Sequence, residues 1–283
     1  MEPVGLVING TELLALTNKF MIETHRYLGL KFSVFSINEL KQDIINNIHT
    51  RAQKIYFGYS LTQLPWIKTK PELFSLSDQF DVFVPDGKGL YMYLKFLGFK
   101  IGDHINLPDL ADLMLRIADE NQFKVFLLGA TEDVNTTAVE NLSKMYPNAL
   151  IPVGINGYYE KEDEIEIVKK INLENPDILI IGISSPKKEQ FASKWRESLN
   201  VPVIIPCGGM IDVYAGKTKR EPRWIQNIGM AWIYRFIQEP KRLSVLLKNG
   251  FSVLLGFMPY AWFQIKILKN KNYSIQNYYK IYS

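Results

Sequence analysis

Cysteine and histidine are scarce in this chain: Cys207 stands alone, and only His25, His49 and His104 are present in 283 residues. A lone thiol closes no intramolecular disulfide, which suits a reducing compartment. Histidines so far apart show no metal-ligand spacing, so neither a zinc site nor any other metal is expected. A Gly-x-Gly-x-x-Gly fingerprint is missing after the early strands, which weighs against a nicotinamide-dependent dehydrogenase. Long apolar runs are missing too. Residues 249–265 are uncharged and aromatic, but they sit at the lower limit for a membrane span and Pro259 interrupts them. The opening MEPVGLVING is short and has no basic flank, so no signal peptide is expected.

What is present describes a globular protein: 47% hydrophobic and 22% charged residues, enough for a substantial core in one large or two small domains. The net charge of +4 is unevenly spread. From Lys217 onward twelve Lys/Arg face two Asp/Glu, roughly +10, which leaves roughly −6 for residues 1–216. Lys217, Lys219, Arg220, Arg223, Arg235, Lys241 and Arg242 lie among Trp224, Trp232, Tyr234 and Phe236. Such a segment suits either an anionic membrane surface or nucleic acid. The neighbouring apolar run favours lipid, so no nucleic acid is expected. Residues 249–265 read as an in-plane or re-entrant segment, with Tyr260 and Trp262 at headgroup level; a buried C-terminal core helix is the alternative.

Short apolar runs alternate with helical patterns along the middle of the chain. Ser36 and Glu39 form a capping-box signature ahead of a helix ending near Ile48. Strands are predicted at 54–58, 81–84, 124–128, 150–153, 177–182 and 202–205, and helices at 107–121, 134–145, 163–173 and 187–198. That rhythm specifies an α/β fold, a Rossmann-like parallel sheet with helices on both faces. Residues 1–30 read either as a strand followed by an amphipathic helix or as a docked arm. In such sheets ligands bind beyond the carboxyl ends of the strands, so the residues that follow each strand carry the functional signal.

Pro85-Asp86-Gly87 reads as a tight turn or as a turn that exposes a general base. Gly129-Ala130-Thr131 precedes a helix and leaves N–H groups free to face a phosphate. Ser184-Ser185-Pro186-Lys187-Lys188-Glu189 is either a simple helix start or an anion-capturing turn. Asn156-Gly157-Tyr158-Tyr159 offers aromatic faces to a base or sugar, or is a turn with half-buried tyrosines. Cys207-Gly208-Gly209 closes the last strand, and Asp212 could accept from a ribose hydroxyl or a base N–H. Several polar or glycine turns at strand ends point together to a nucleotide diphosphate pocket.

These segments, in this order, resemble the WecB/TagA/CpsF family of bacterial glycosyltransferases over roughly residues 32–243. The resemblance rests on PDG at 85–87, FLLGA at 126–130, NGYY at 156–159, PDILIIGISSPKKE at 176–189 and CGGMIDVYAGKTKREP…WIYRFIQEPKRL at 207–243. It implies inverting transfer of a sugar, N-acetylmannosamine-like, from a UDP donor to a polyprenyl-diphosphate-linked acceptor in cell-surface polysaccharide synthesis, with no cofactor. It implies Asp86 as the catalytic base. Tyr158, Glu189, Gly208, Gly209 and Asp212 match nucleotide-side positions, and Arg235 and Arg242 match appendage arginines that meet the diphosphate. The chain departs from the pattern at Lys188, where Gln is usual, and at His104, where Arg is usual, while Asp109 is kept. Gly58-Tyr59-Ser60 replaces a usual Thr-x-Asn, and Val245 stands for a third arginine.

The resulting expectation divides the chain into an extension (1–30), a catalytic core (31–216) and a helical, membrane-associating appendage (217–283). Asp86, Arg235 and Arg242 are the catalytic candidates. Substrate-binding candidates are Gly129, Ala130, Tyr158, Ser185, Lys188, Glu189, Gly208, Gly209, Asp212, His104 and Asp109. No Asp-x-Asp metal motif is present, so cationic side chains take over charge stabilisation. The protein is expected as a peripheral enzyme on the cytoplasmic face of the plasma membrane, with self-association as another way to cover apolar surface. A catalytically inactive nucleotide-binding scaffold is the competing reading, and a dehydrogenase the more distant one.

Overall fold

The computed structural model describes residues 22–227, Tyr234 and residues 250–281. An antiparallel hairpin comes first, β1 (Glu23–Tyr27) and β2 (Leu30–Val34), where a strand-then-helix or an arm was one reading of the N-terminal segment. Residues 1–21 lie outside the described residues. Helix α1 (Ile37–Thr50) starts at the expected capping box: the Ser36 hydroxyl accepts from Glu39 N–H, and the Glu39 carboxylate accepts from Ser36 N–H. Next come β3 (Lys54–Tyr59), α2 (Pro71–Ser77), β4 (Val82–Pro85), α3 (Lys88–Phe96) and α4 (Leu107–Asn121). The second half follows as β5 (Val125–Gly129), α5 (Glu132–Met145), α6 (Glu164–Glu174), β6 (Ile178–Gly182), α7 (Lys187–Lys194), β7 (Val203–Pro206) and α8 (Met210–Tyr214).

The five strands β3 to β7 form one parallel sheet in the order β4-β3-β7-β6-β5. Their residues alternate between two apolar layers. Ile55, Phe57, Phe83, Phe126, Leu179 and Ile204 face α3, α6, α7 and the hairpin; Tyr56, Val82, Leu127, Ile180 and Ile205 face α1, α4, α5 and α8. Burial on both faces is why these strands read as continuous apolar runs rather than as alternation. The predicted strand at 150–153 is a correction. Only isolated bridges form there, Lys124 with Leu150 and Leu128 with Ile155, because Pro152 has no N–H to continue a ladder.

Beyond residue 249 the chain returns to the first layer. A π-turn (Ser252–Phe257), helix α9 (Met258–Trp262) and a second π-turn (Phe263–Ile267) run end to end, then α10 (Ile275–Ile281) follows. Val253, Phe257, Ala261 and Ile265 are buried in the core at a strict spacing of four. A regular helix of about 3.6 residues per turn would rotate that series away from the sheet, and the wider π-turns hold it in register. The opposite side of the same segment exposes Phe251, Leu254, Leu255, Phe263 and Ile267. Residues 253–265 thus pack as the buried C-terminal helix on one face and leave an apolar face open on the other. No helix among the described residues is long and apolar enough to cross a membrane.

Candidate functional site at the carboxyl ends of the strands

Asp86 follows the edge strand β4. Its N–H donates to the Tyr59 carbonyl at 2.8 Å, and its carboxylate accepts from Leu107 N–H at 3.2 Å. The side chain is thereby fixed against the start of α4, whose N-terminal dipole favours a negative charge. Gly87 next to it has φ +99°, a backbone conformation open to glycine. Gly58 on β3 makes room for this arrangement: a Cβ there would lie 2.9 Å from Asp86 Cβ and 2.9 Å from Leu107 Cγ. A glycine inside an apolar strand is the one sequence signal that could have flagged this close approach.

The glycine turns of the other strands pack backbone against backbone. A Cβ on Gly129 would sit 2.5 Å from the Gly182 carbonyl, and one on Gly157 would sit 2.8 Å from Gly129 Cα. Gly157 N–H donates to the Ala130 carbonyl at 2.8 Å, tying the 129–131 and 155–157 turns together. Asn135, buried on α5, donates to the Gly129 and Ile155 carbonyls at 2.9 and 3.1 Å; nothing in the sequence pattern singled it out. Tyr158 stands exposed at the rim, while Tyr159 packs on Phe191. Over the end of β7 the space is open: a Cβ on Gly208 or Gly209 would meet nothing within 4 Å. Asp212 lies in the first turn of α8, 3.4 Å from Lys217 Nζ.

At the end of β6 the two lysines of the SSPKKE turn part company. Lys187 is exposed, whereas Lys188 is buried. The Lys188 ammonium bonds Glu189 Oε1 at 2.5 Å and the Pro206 carbonyl at 3.2 Å, and the Ser185 hydroxyl donates to the same Oε1 at 2.7 Å. Asp109 and Asp112 on α4 are both engaged by Arg220, with Tyr214 donating to Asp112 at 3.1 Å. Burial raises the Asp112 carboxyl above its ordinary range, against the pull of Arg220. Arg220 thus pins the root of the C-terminal segment to α4. His104 lies against Tyr91 with ring centroids 4.8 Å apart and planes tilted by 51°, close to Asp86 and Asp109, and burial holds its imidazole below its ordinary pKa.

The sheet order decides which candidates meet. Asp86 at β4 is two strands from the Gly208 turn at β7 and four from the Gly129 turn at β5, about 10 and 19 Å at the usual strand spacing. The β5, β6 and β7 turns therefore lie side by side, with Asp86 two strands beyond them. Arg235 and Arg242 lie outside the described residues. Among the described residues no three His, Cys, Asp or Glu side chains gather as a metal ion would need. A cavity of about 530 Å³ lies at the other end of the sheet, but Arg26, Lys31 and Lys54 on its wall already engage Asp78 and Asp43.

Comparison with known proteins matches residues 25–267 to the family described as Glycosyl transferase WecG/TagA/CpsF family. A curated protein of Staphylococcus aureus (strain MRSA252), named N-acetylglucosaminyldiphosphoundecaprenol N-acetyl-beta-D-mannosaminyltransferase, is 34% identical over 229 residues, 77% of this chain and 86% of that protein. A protein of the same name from Bacillus subtilis (strain 168) is 31% identical over 186 residues, 62% of this chain and 72% of that protein.

Proposed function

This chain belongs to the WecG/TagA/CpsF family of glycosyl transferases, and from that premise we propose that it moves an N-acetylmannosamine-like sugar from UDP to a lipid-diphosphate-linked N-acetylglucosamine. The donor and acceptor come from the names of the two relatives. The observation that carries the mechanism is the position of Asp86, on an edge turn two strands from the open glycine turn of β7.

In this reading the donor diphosphate is held by backbone N–H groups of the 129–131, 184–189 and 208–210 turns. Tyr158 stacks on the uracil and Asp212 accepts from the ribose. Asp86 takes the proton of the acceptor hydroxyl as that oxygen attacks the anomeric carbon, and the bond from that carbon to UDP breaks with inversion. Charge grows on the leaving diphosphate, and Arg235 and Arg242 of the appendage stabilise it without a metal. The hairpin at 23–34 and the buried side of 250–281 belong, in this reading, to the catalytic core, and the open side of 250–281 faces the membrane. The outer face of 250–268, with Lys266, Lys269 and Lys271 beside its exposed apolar residues, supports docking on an anionic lipid surface, with the site at the cytoplasmic side.

A screen of UDP-sugars against a short lipid-diphosphate N-acetylglucosamine acceptor, with product mass as readout, tests the proposal. Transfer from UDP-N-acetylmannosamine is expected. Binding of UDP without turnover of any donor would support the inactive-scaffold reading instead.

A further inference from the structure

Lys188 and Glu189 are neighbours on α7, and adjacent helical side chains normally point apart. Here their ends meet at 2.5 Å because the Lys188 stem folds inward across Phe57, with the ammonium 5.5 Å from the ring centroid. Glu189 is fully buried and Lys188 is 6% exposed. Each polar contact of the ammonium points into the protein: the Glu189 carboxylate, the Pro206 carbonyl at the end of β7 and the Phe57 face on β3. Glu189 Oε1 receives both Lys188 and the Ser185 hydroxyl, while Oε2 is buried with no partner. A carboxylate so poorly satisfied depends on its cation, because a buried charge left without its partner costs far more than the loss of the whole pair.

We infer that Lys188 is a positioning residue that clamps the Ser185–Pro186 turn to the end of β7 through Glu189, rather than a ligand of the donor phosphates. The clamp joins the two turns that border the open space over Gly208 and Gly209. A lysine reaching a phosphate from this turn would be Lys187, the exposed one. The sequence resemblance puts a neutral Gln as the usual residue at the Lys188 position, so the buried charge departs from that usual pattern. This inference rests on the reading that the diphosphate lies over these turns.

The charge balance of the pair gives the test. Parent, K188Q, E189Q and K188Q/E189Q proteins are titrated with UDP by calorimetry. Each single substitution strands one buried charge and is expected to weaken UDP binding about tenfold or more. The double substitution removes both charges and is expected to return affinity to within about fivefold of the parent. A double variant weaker than that overturns the inference, because a phosphate ligand cannot be restored by neutralising its neighbour; a K188Q protein within about fivefold of the parent overturns it too. If the single variants do not fold, the double variant decides alone by the same limit. Failure of the parent to bind UDP is failure of the donor reading, and the four melting temperatures then decide. A double variant melting above both singles upholds the clamp, and additive losses overturn it.

Discussion

The two ends of the parallel sheet are built from different materials. At the amino ends, side-chain charges stitch β3 to β4 and β5 to β6 and reach the loop ahead of β7. Arg51 reaches Asp177 and Asn175 at 3.0 Å and the Asn200 carbonyl at 2.6 Å, while Asp177 accepts from Lys124 N–H at 2.8 Å. Arg196 holds Asp81 at 3.0 Å, which in turn accepts from Ile55 N–H at 2.8 Å. At the carboxyl ends, apart from the buried Ser185–Lys188–Glu189 cluster, the turns rely on backbone: Gly87, Gly129 and Gly208 have positive φ, and Gly129, Gly157 and Gly182 meet at main-chain contact. The contrast separates side-chain stitching from glycine turns that leave open space over β7. Polar groups at the amino ends find partners within the chain; at the carboxyl ends the Gly129, Gly157 and Cys207 N–H groups are bonded too, and what stays open is the space over Gly208 and Gly209.

Substitutions at the two ends should therefore differ in kind. The largest effect is expected for Asp86→Asn, which keeps the shape of the turn and removes the base. Turnover should fall about 10²- to 10⁴-fold with UDP affinity unchanged, and near-normal turnover would remove Asp86 from this role. Gly58→Ala should follow. Its methyl group forces Asp86 and Leu107 apart, lowering stability by about 1–3 kcal/mol and turnover roughly tenfold, as read from thermal melts and steady-state kinetics. Arg51→Ala belongs to the opposite end: a loss of about 2 kcal/mol in stability is expected, with UDP affinity as in the parent. A matched loss of UDP binding in Arg51→Ala would blur the division between the ends.

The smallest effect expected is a pH dependence. Burial depresses the His104 pKa, so the unfolded chain takes up a proton first as pH falls through 6.5. His104 thus withdraws stability between that pH and its own lower folded value, and restores it as pH rises. Melting temperatures of His104→Gln should fall less steeply below pH 6.5 than those of the parent; parallel curves would assign the acid limb to other groups.

Much of this was legible in the order of residues. Helix α4 runs over the predicted 107–121 because Asn106 caps it and Pro108 suits its first turn. The strands β3 to β7 stood out because a doubly covered sheet needs unbroken apolar runs. The hairpin at 23–34 did not, since its turn puts Leu28 and Gly29 at φ 55° and 81°, and leucine is a poor signal for that conformation. The candidate turns were legible as glycine and Asp motifs, but the partners of their side chains were not. Asp109, a substrate-binding candidate, has Arg220 as its partner from 111 residues away.

Local chemistry set the strands, the caps, the glycine turns and the family motifs, because each depends on residues within a few positions of one another. Tertiary structure alone decided the strand order that stands Asp86 two strands from the open β7 turn. It also decided that Lys188 faces inward to Glu189 while Lys187 faces solvent, and that residues 253–265 bury only one side of an apolar segment. A period of two or of 3.6 tells which residues share a face. Which element covers that face depends on crossovers and packing between distant parts of the chain, and no local pattern records them.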